Sequence, residues 1–160
     1  MAQSQSQAPQ TEWWSAFPAP RATCPKITGD ELMKLFDDMD IESGPSQFVL
    51  VDVRRTDWEG GTIKSSLNLP AQSFYQTRKT LLDLCDRASI KQVIFYCGSS
   101  SGRGPRCASW MQDYIDDIAK FGRKTDLKVL VLEGGIKKWV KDFGGSMMEG
   151  FEEKYWEQLK

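Results

Sequence analysis

Apolar positions change their period several times along the chain. Phe48-Val49-Leu50-Val51-Asp52-Val53 is a continuous apolar run interrupted only by a carboxylate. Gln92-Val93-Ile94-Phe95-Tyr96 is a second such run, and Lys128-Val129-Leu130-Val131-Leu132 a third. Runs of this length predict strands buried on both faces, as in a parallel sheet. Between them the period lengthens. Cys107, Met111, Tyr114, Ile115 and Ile118 recur at steps of three and four and predict a helix over 103–121. Leu81, Leu82, Leu84 and Cys85 mark the inward face of a helix over 74–88. Leu32, Met33, Leu35 and Phe36 predict an earlier helix that fades near Asp40, and Thr28 with Glu31 three residues on supplies its capping box.

Shorter signals fill the gaps. Ile63 to Leu69 reads as a strand ended by Pro70, Gly134-Gly135 opens a short helix through Trp139, and residues 151–160 read as an amphipathic helix packed on the body. Strands alternating with helices predict an α/β domain around a mostly parallel sheet. Ligands of such sheets sit at the carboxyl ends of the strands. Three Gly-rich strand-to-helix turns fall there, around Gly60, Gly98–Gly104 and Gly134.

Residues 1–22 are rich in Gln, Ser, Ala and Pro, with Pro9, Pro18 and Pro20 against regular structure. They predict a flexible tail ahead of a single domain over 23–160, ordered from near Pro25. Trp13, Trp14 and Phe17 are expected to cover an apolar patch of that domain.

Composition narrows the function. With 160 residues and a net charge of −1, the chain shows no general nucleic-acid or membrane surface. No apolar run approaches the roughly 20 residues of a membrane span. The N-terminus lacks a secretory pattern, so reduced thiols and a cytoplasmic location are expected, with the nucleus as a further compartment. Four cysteines, Cys24, Cys85, Cys97 and Cys107, match no common zinc spacing, and no metal site is expected. There is no histidine. Any reactive thiol must therefore be activated without an imidazole base.

One segment fits that demand. Cys97 ends the second apolar run; Gly98, Ser99, Ser100, Ser101 and Gly102 follow, and Arg103 opens the strongest predicted helix. Small residues let backbone N–H groups converge as an anion nest at a helix N-terminus, which carries partial positive charge. Arg103 can add a two-donor fork to a tetrahedral oxyanion, and Pro105 fits the first helical turn. The same field favours a Cys97 thiolate. The serine hydroxyls can hydrogen-bond that thiolate or assist its departure. The plainer alternative is a solvent-exposed loop above a buried thiol, and C-x5-R alone is a weak signal. The strand before, the Gly/Ser loop between and the helix after are what sharpen it.

Three separated blocks resemble the rhodanese family. Val49-Leu50-Val51-Asp52-Val53-Arg54 is similar to its strand ending in Asp-x-Arg; Glu59-Gly60-Gly61-Thr62-Ile63-Lys64-Ser65-Ser66-Leu67-Asn68-Leu69-Pro70 to its Gly-His-Ile segment; and Leu132-Glu133-Gly134-Gly135-Ile136-Lys137-Lys138-Trp139 to its Gly-Gly-x-x-x-Trp turn. The resemblance implies a rhodanese-like three-layer domain, a mostly parallel sheet flanked by helices. Sulfurtransferase members have a shorter loop; the longer C-x5-R loop followed by Gly-Pro resembles the cell-division-cycle dual-specificity phosphatases and the small eukaryotic arsenate reductases. Two positions depart from the family pattern: Tyr96 stands where a histidine precedes the cysteine, and Thr62 where the segment reads Gly-His-Ile.

The resemblance implies a Cys97 nucleophile with Arg103 and the 98–102 loop holding the oxyanion. Two outcomes then diverge. A phosphatase needs an acid for the leaving alkoxide; Asp57 and Glu59 on the neighbouring turn are the candidates, though they read first as solvated turn carboxylates. An arsenate reductase needs a second thiol. Cys107 falls on the apolar stripe of its helix and reads first as a buried core thiol; a resolving role requires it to come close to Cys97, and external glutathione with glutaredoxin is the simpler donor. The second thiol that the cell-cycle enzymes carry in the Asp-x-Arg block is Val53 here. The acid-free loop tilts the reading to arsenate reductase, with phosphatase next, and sulfurtransfer or a non-catalytic phospho-binding module also open. No bound cofactor is expected; the substrate is arsenate or a phosphoprotein, and the oligomeric state is left open.

Overall fold

The computed structural model describes residues 12–39 and 44–160. In chain order the elements are β1 (Lys26–Ile27), α1 (Gly29–Asp37), β2 (Phe48–Asp52), β3 (Thr62–Ile63) and β4 (Ser66–Asn68). There follow α2 (Ala71–Phe74), a 3-10 turn (Tyr75–Thr77), α3 (Arg78–Arg87), β5 (Gln92–Tyr96) and α4 (Arg103–Ala119). The chain continues through β6 (Lys128–Leu132), α5 (Gly135–Phe143), β7 (Met148–Glu149) and α6 (Glu153–Glu157).

Five strands form one sheet in the order β1-β6-β5-β2-β4, and each neighbouring pair is parallel. Side chains alternate across it as the pleat requires. Val93, Phe95 and Cys97 join Phe74, Leu82, Cys107 and Met111 on the face covered by α2, α3 and α4. Ile94 and Tyr96 join Leu32, Ile136 and Trp139 on the face covered by α1, α5 and α6. Both faces are buried, which is why β2, β5 and β6 read as unbroken apolar runs. The expected three-layer α/β architecture is the one observed. α1 also carries its capping box: Glu31 N donates to Thr28 Oγ1 at 3.1 Å and Thr28 N to Glu31 Oε2 at 2.9 Å.

Several local expectations need correction. The single strand over 63–69 is two: β3 pairs antiparallel with β7, and β4 parallel with β2. Ser65 between them has φ 61°, a left-handed turn that sends the chain from one pair to the other. The helix expected from Phe74 starts at Ala71, directly after Pro70, and passes through the 3-10 turn. Leu84 is exposed rather than inward. Helix α4 stops at Ala119, leaving Phe121 in solvent, and the C-terminal helix is confined to Glu153–Glu157.

Part of the segment expected as a flexible tail, from Glu12 on, is packed structure. Residues 1–11 lie outside the described residues, but from Glu12 on the segment is packed on the body. Trp13–Ala16 form a 3-10 turn, and Phe17 stacks on Tyr75 with centroids 4.9 Å apart. Pro18 O accepts from Trp110 Nε1 at 2.9 Å, and Asp113 accepts the Arg21 and Ala22 N–H groups at 2.9 Å. The aromatic residues win here because they cover Trp110 of α4; proline content alone does not report such anchoring.

Candidate active site

β5 delivers Cys97 to the carboxyl edge of the sheet, and α4 begins six residues later at Arg103. Cys97 is 3% exposed. Its sulfur accepts the Gly104 N–H at 3.3 Å, so the first turn of a 17-residue helix bears directly on it. Gly104 packs directly on the cysteine: a Cβ there would stand 3.4 Å from Cys97 N and 3.5 Å from its Sγ, in ordinary van der Waals contact. The backbone N–H groups of residues 98–103 find no acceptor among the described residues. Unpaired donors in a loop between a cysteine and a helix N-terminus are what an anion-binding nest requires.

The floor of the loop is held from the other side by α5. Ile136 N donates to Cys97 O at 3.1 Å and Lys137 N to Gly98 O at 3.0 Å. Gly135 makes this possible. Its φ is 60°, and a Cβ on it would meet Cys97 O at 2.5 Å and Gly98 O at 2.6 Å.

None of the loop hydroxyls bonds the sulfur in this structure. Ser99 and Ser101 bond each other, Oγ to Oγ, at 2.7 Å. Ser100 has φ 54°, is buried, and its hydroxyl finds no partner among the described residues. Strain and an unspent polar group in the same residue fit a loop shaped for a ligand.

Arg103 points at Asp57. Nη1 donates to Oδ1 at 2.7 Å and Nη2 to Oδ2 at 2.5 Å, a two-pronged pair between partners 46 residues apart. The Arg103 fork holds the Asp57 carboxyl at about 2, below its ordinary 3.8. Asp57 therefore reaches the rim of the loop, as a candidate acid must, but it stands there ionised. Glu59 is exposed, and its carboxylate makes no hydrogen bond or ion pair among the described residues. Its contribution is its backbone oxygen, which accepts from Arg54 Nη1 at 3.1 Å.

Cys107 is fully buried in α4 and is a free thiol. Burial, and secondarily the neighbouring Cys97, push its pKa far up. A thiol that resists ionisation in a closed core is a poor resolving nucleophile. Cys24 and Cys85 are likewise raised, to about 11, chiefly by burial.

Behind the loop lies a polar cluster that sequence reasoning did not assemble. Arg54, 2% exposed, forks onto Asp52 with its Nη2 2.8 Å from Oδ2, and also donates to Gly61 O at 2.8 Å. Thr62 Oγ1 donates to Asp52 Oδ2 at 3.0 Å and lies 2.8 Å from Tyr96 Oη. Tyr96 Oη also lies 2.6 Å from Ser66 Oγ and accepts from Ile63 N at 3.2 Å. Tyr96 thus anchors the segment behind Cys97 and does not touch the sulfur. Lys137, two residues after the Gly-Gly turn that meets the loop, also comes near it; a methyl group on Gly98 would stand 3.6 Å from its Cε.

A family model described as Rhodanese-like domain matches residues 28–142, well over half of the chain. The chain belongs to the rhodanese-like family. This rhodanese-like chain is 31% identical over 119 residues to a CDC25-like phosphatase of Saccharomyces cerevisiae, covering 68% of the chain and 78% of that protein. It is 29% identical over 108 residues to arsenical-resistance protein 2 of the same yeast, covering 62% and 78%. A solved yeast protein tyrosine phosphatase of the rhodanese family superposes with a TM-score of 0.65 at 25% identity, covering 85% of the chain and 99% of that structure. The rhodanese-like domain is thus shared with proteins of both phosphatase and arsenical-resistance name.

Proposed function

We propose that the chain is an arsenate reductase that uses Cys97 as its nucleophile. The cradle of residues 98–103 and the helix field on Cys97 support attack on a tetrahedral oxyanion. The observation that carries the choice of arsenate is the state of Asp57. It is the carboxylate that reaches the loop, and Arg103 holds it ionised near a value of about 2. A phosphate ester needs a proton for its departing alkoxide. Arsenate brings protons on its own oxygens, and one of these leaves as water.

In this reading the Cys97 thiolate forms a sulfur–arsenic bond as an arsenic–oxygen bond breaks and water departs. An external thiol then attacks Cys97 sulfur. The sulfur–arsenic electron pair stays on arsenic, which leaves as arsenite, reduced by two electrons. The two thiols are left as a mixed disulfide, and a second external thiol regenerates Cys97. Glutathione with glutaredoxin is the donor pair of the right class, since buried Cys107 is poorly placed to ionise.

A second reading, phosphatase, is favoured by the position of Asp57 at the rim, where it would stand beside the oxyanion once Arg103 turns away from it. The phosphatase names among the relatives support it as well. Purified protein given arsenate, glutathione and glutaredoxin should form arsenite, and Cys97→Ser should abolish this. No arsenite at millimolar arsenate, with brisk hydrolysis of an aryl phosphate, would overturn the first reading in favour of the second.

A further inference from the structure

Two cations flank Gly98. From the position a Cβ would take on that residue, Arg103 Nη2 lies 3.9 Å away and Lys137 Nζ 4.0 Å. Their electrostatic situations differ. Arg103 is already neutralised by Asp57 through both prongs of its fork. Lys137 has no hydrogen-bonded or ion-paired carboxylate among the described residues. Its neighbour Lys138 shows the contrast, with Nζ 2.7 Å from Asp142 Oδ2. The placement of Lys137 is built into the fold: the Gly134-Gly135 turn presses the start of α5 onto the loop, and Lys137 N is bonded to Gly98 O at 3.0 Å.

We propose that Lys137 is a substrate-binding residue of this site, supplying the uncompensated positive charge that an incoming oxyanion meets while Arg103 is still held by Asp57. Once the oxyanion is seated, Arg103 exchanges the carboxylate for it, and Asp57 acts as a competitor that the anion must displace. The inference rests on the oxyanion-binding part of the proposed function and is independent of which chemistry follows.

A unit charge within several ångströms of an anion at a partly exposed site is worth roughly tenfold in affinity at low salt, and less as salt rises. The test is equilibrium binding of inorganic arsenate and inorganic phosphate to the full chain carrying Cys97→Ser, measured calorimetrically so that no turnover intervenes. In that background Lys137→Gln should weaken both anions by about tenfold, and Lys137→Arg should restore most of the loss. Asp57→Asn should tighten binding and shrink the effect of Lys137→Gln, because a free Arg103 then offers a second charge from the outset. Lys137 is exposed, so the thermal midpoint should not move. Unchanged affinity in Lys137→Gln, or an arginine variant as weak as the glutamine one, overturns this inference alone. A Cys97→Ser parent that binds neither anion sinks the oxyanion reading and this inference with it.

Discussion

The hydroxyl of Tyr96 lies 2.8 Å from that of Thr62. These are the two positions at which the chain departs from the histidines of the family pattern, and they meet behind the loop in one buried network. The two departures thus meet in one contact, extended by Ser66, Ile63 and Asp52. Removing the Tyr96 hydroxyl would leave the buried Ile63 N–H without its acceptor. Tyr96→Phe should therefore cost about 1–3 kcal/mol of stability. Urea unfolding measures it; an unchanged midpoint would mean the network contributes nothing net. Turnover per folded molecule should survive, since Tyr96 does not touch the sulfur.

The Asp57–Arg103 pair predicts an acid limb in stability. The folded value of Asp57 is depressed, from 3.8 to about 2. Its contribution is thus present above about 3.8 and lost as pH falls through about 2. Asp57 is nearly half exposed, so solvent screening keeps the contribution at or below about 1 kcal/mol. Thermal midpoints of the parent and Asp57→Asn should differ slightly at pH 5 and converge toward pH 2. A gap that widens on acidification would show that the pair is not what stabilises the carboxylate.

Gly135→Ala tests how the loop is held. The position has φ 60°, which costs an alanine roughly 1–2 kcal/mol, and the new methyl would run into the Cys97 and Gly98 carbonyl oxygens. Stability should drop by at least that amount, and oxyanion affinity should fall in whatever fraction stays folded. Wild-type affinity in a folded Gly135→Ala protein would argue that the loop does not depend on α5.

Cys107→Ala separates the two thiols. Its side chain is a packed core group, so the cost should be a small cavity of about 1 kcal/mol seen in unfolding, with thiol-dependent turnover retained. Loss of turnover in a protein that remains folded, with Cys97 intact, would assign Cys107 the resolving role.

The local patterns decided much of this protein. Unbroken apolar runs report burial on two faces, so β2, β5 and β6 were legible as parallel strands, and a stripe at steps of three and four reported α4. Thr28 with Glu31 specified its own cap, since both partners of that interaction lie within one turn. Cys97 and Arg103 were legible because the strand, the small-residue loop and the helix that shape a nest are consecutive in the chain.

Relationships between distant residues were decided only by the tertiary structure. Asp57 finds Arg103 across 46 residues, Tyr96 finds Thr62 across 34, and Lys137 reaches Gly98 from another element altogether. No local period encodes such meetings, because they depend on which strand edges the parallel crossovers bring together. The same holds for Trp13 and Phe17: their sequence surroundings read as a tail, and Trp110 on α4 turns that tail into packed structure. Chain order specified Cys97, its small-residue loop and the helix that follows; packing specified the charge around them, because electrostatic partners are set by distance in space.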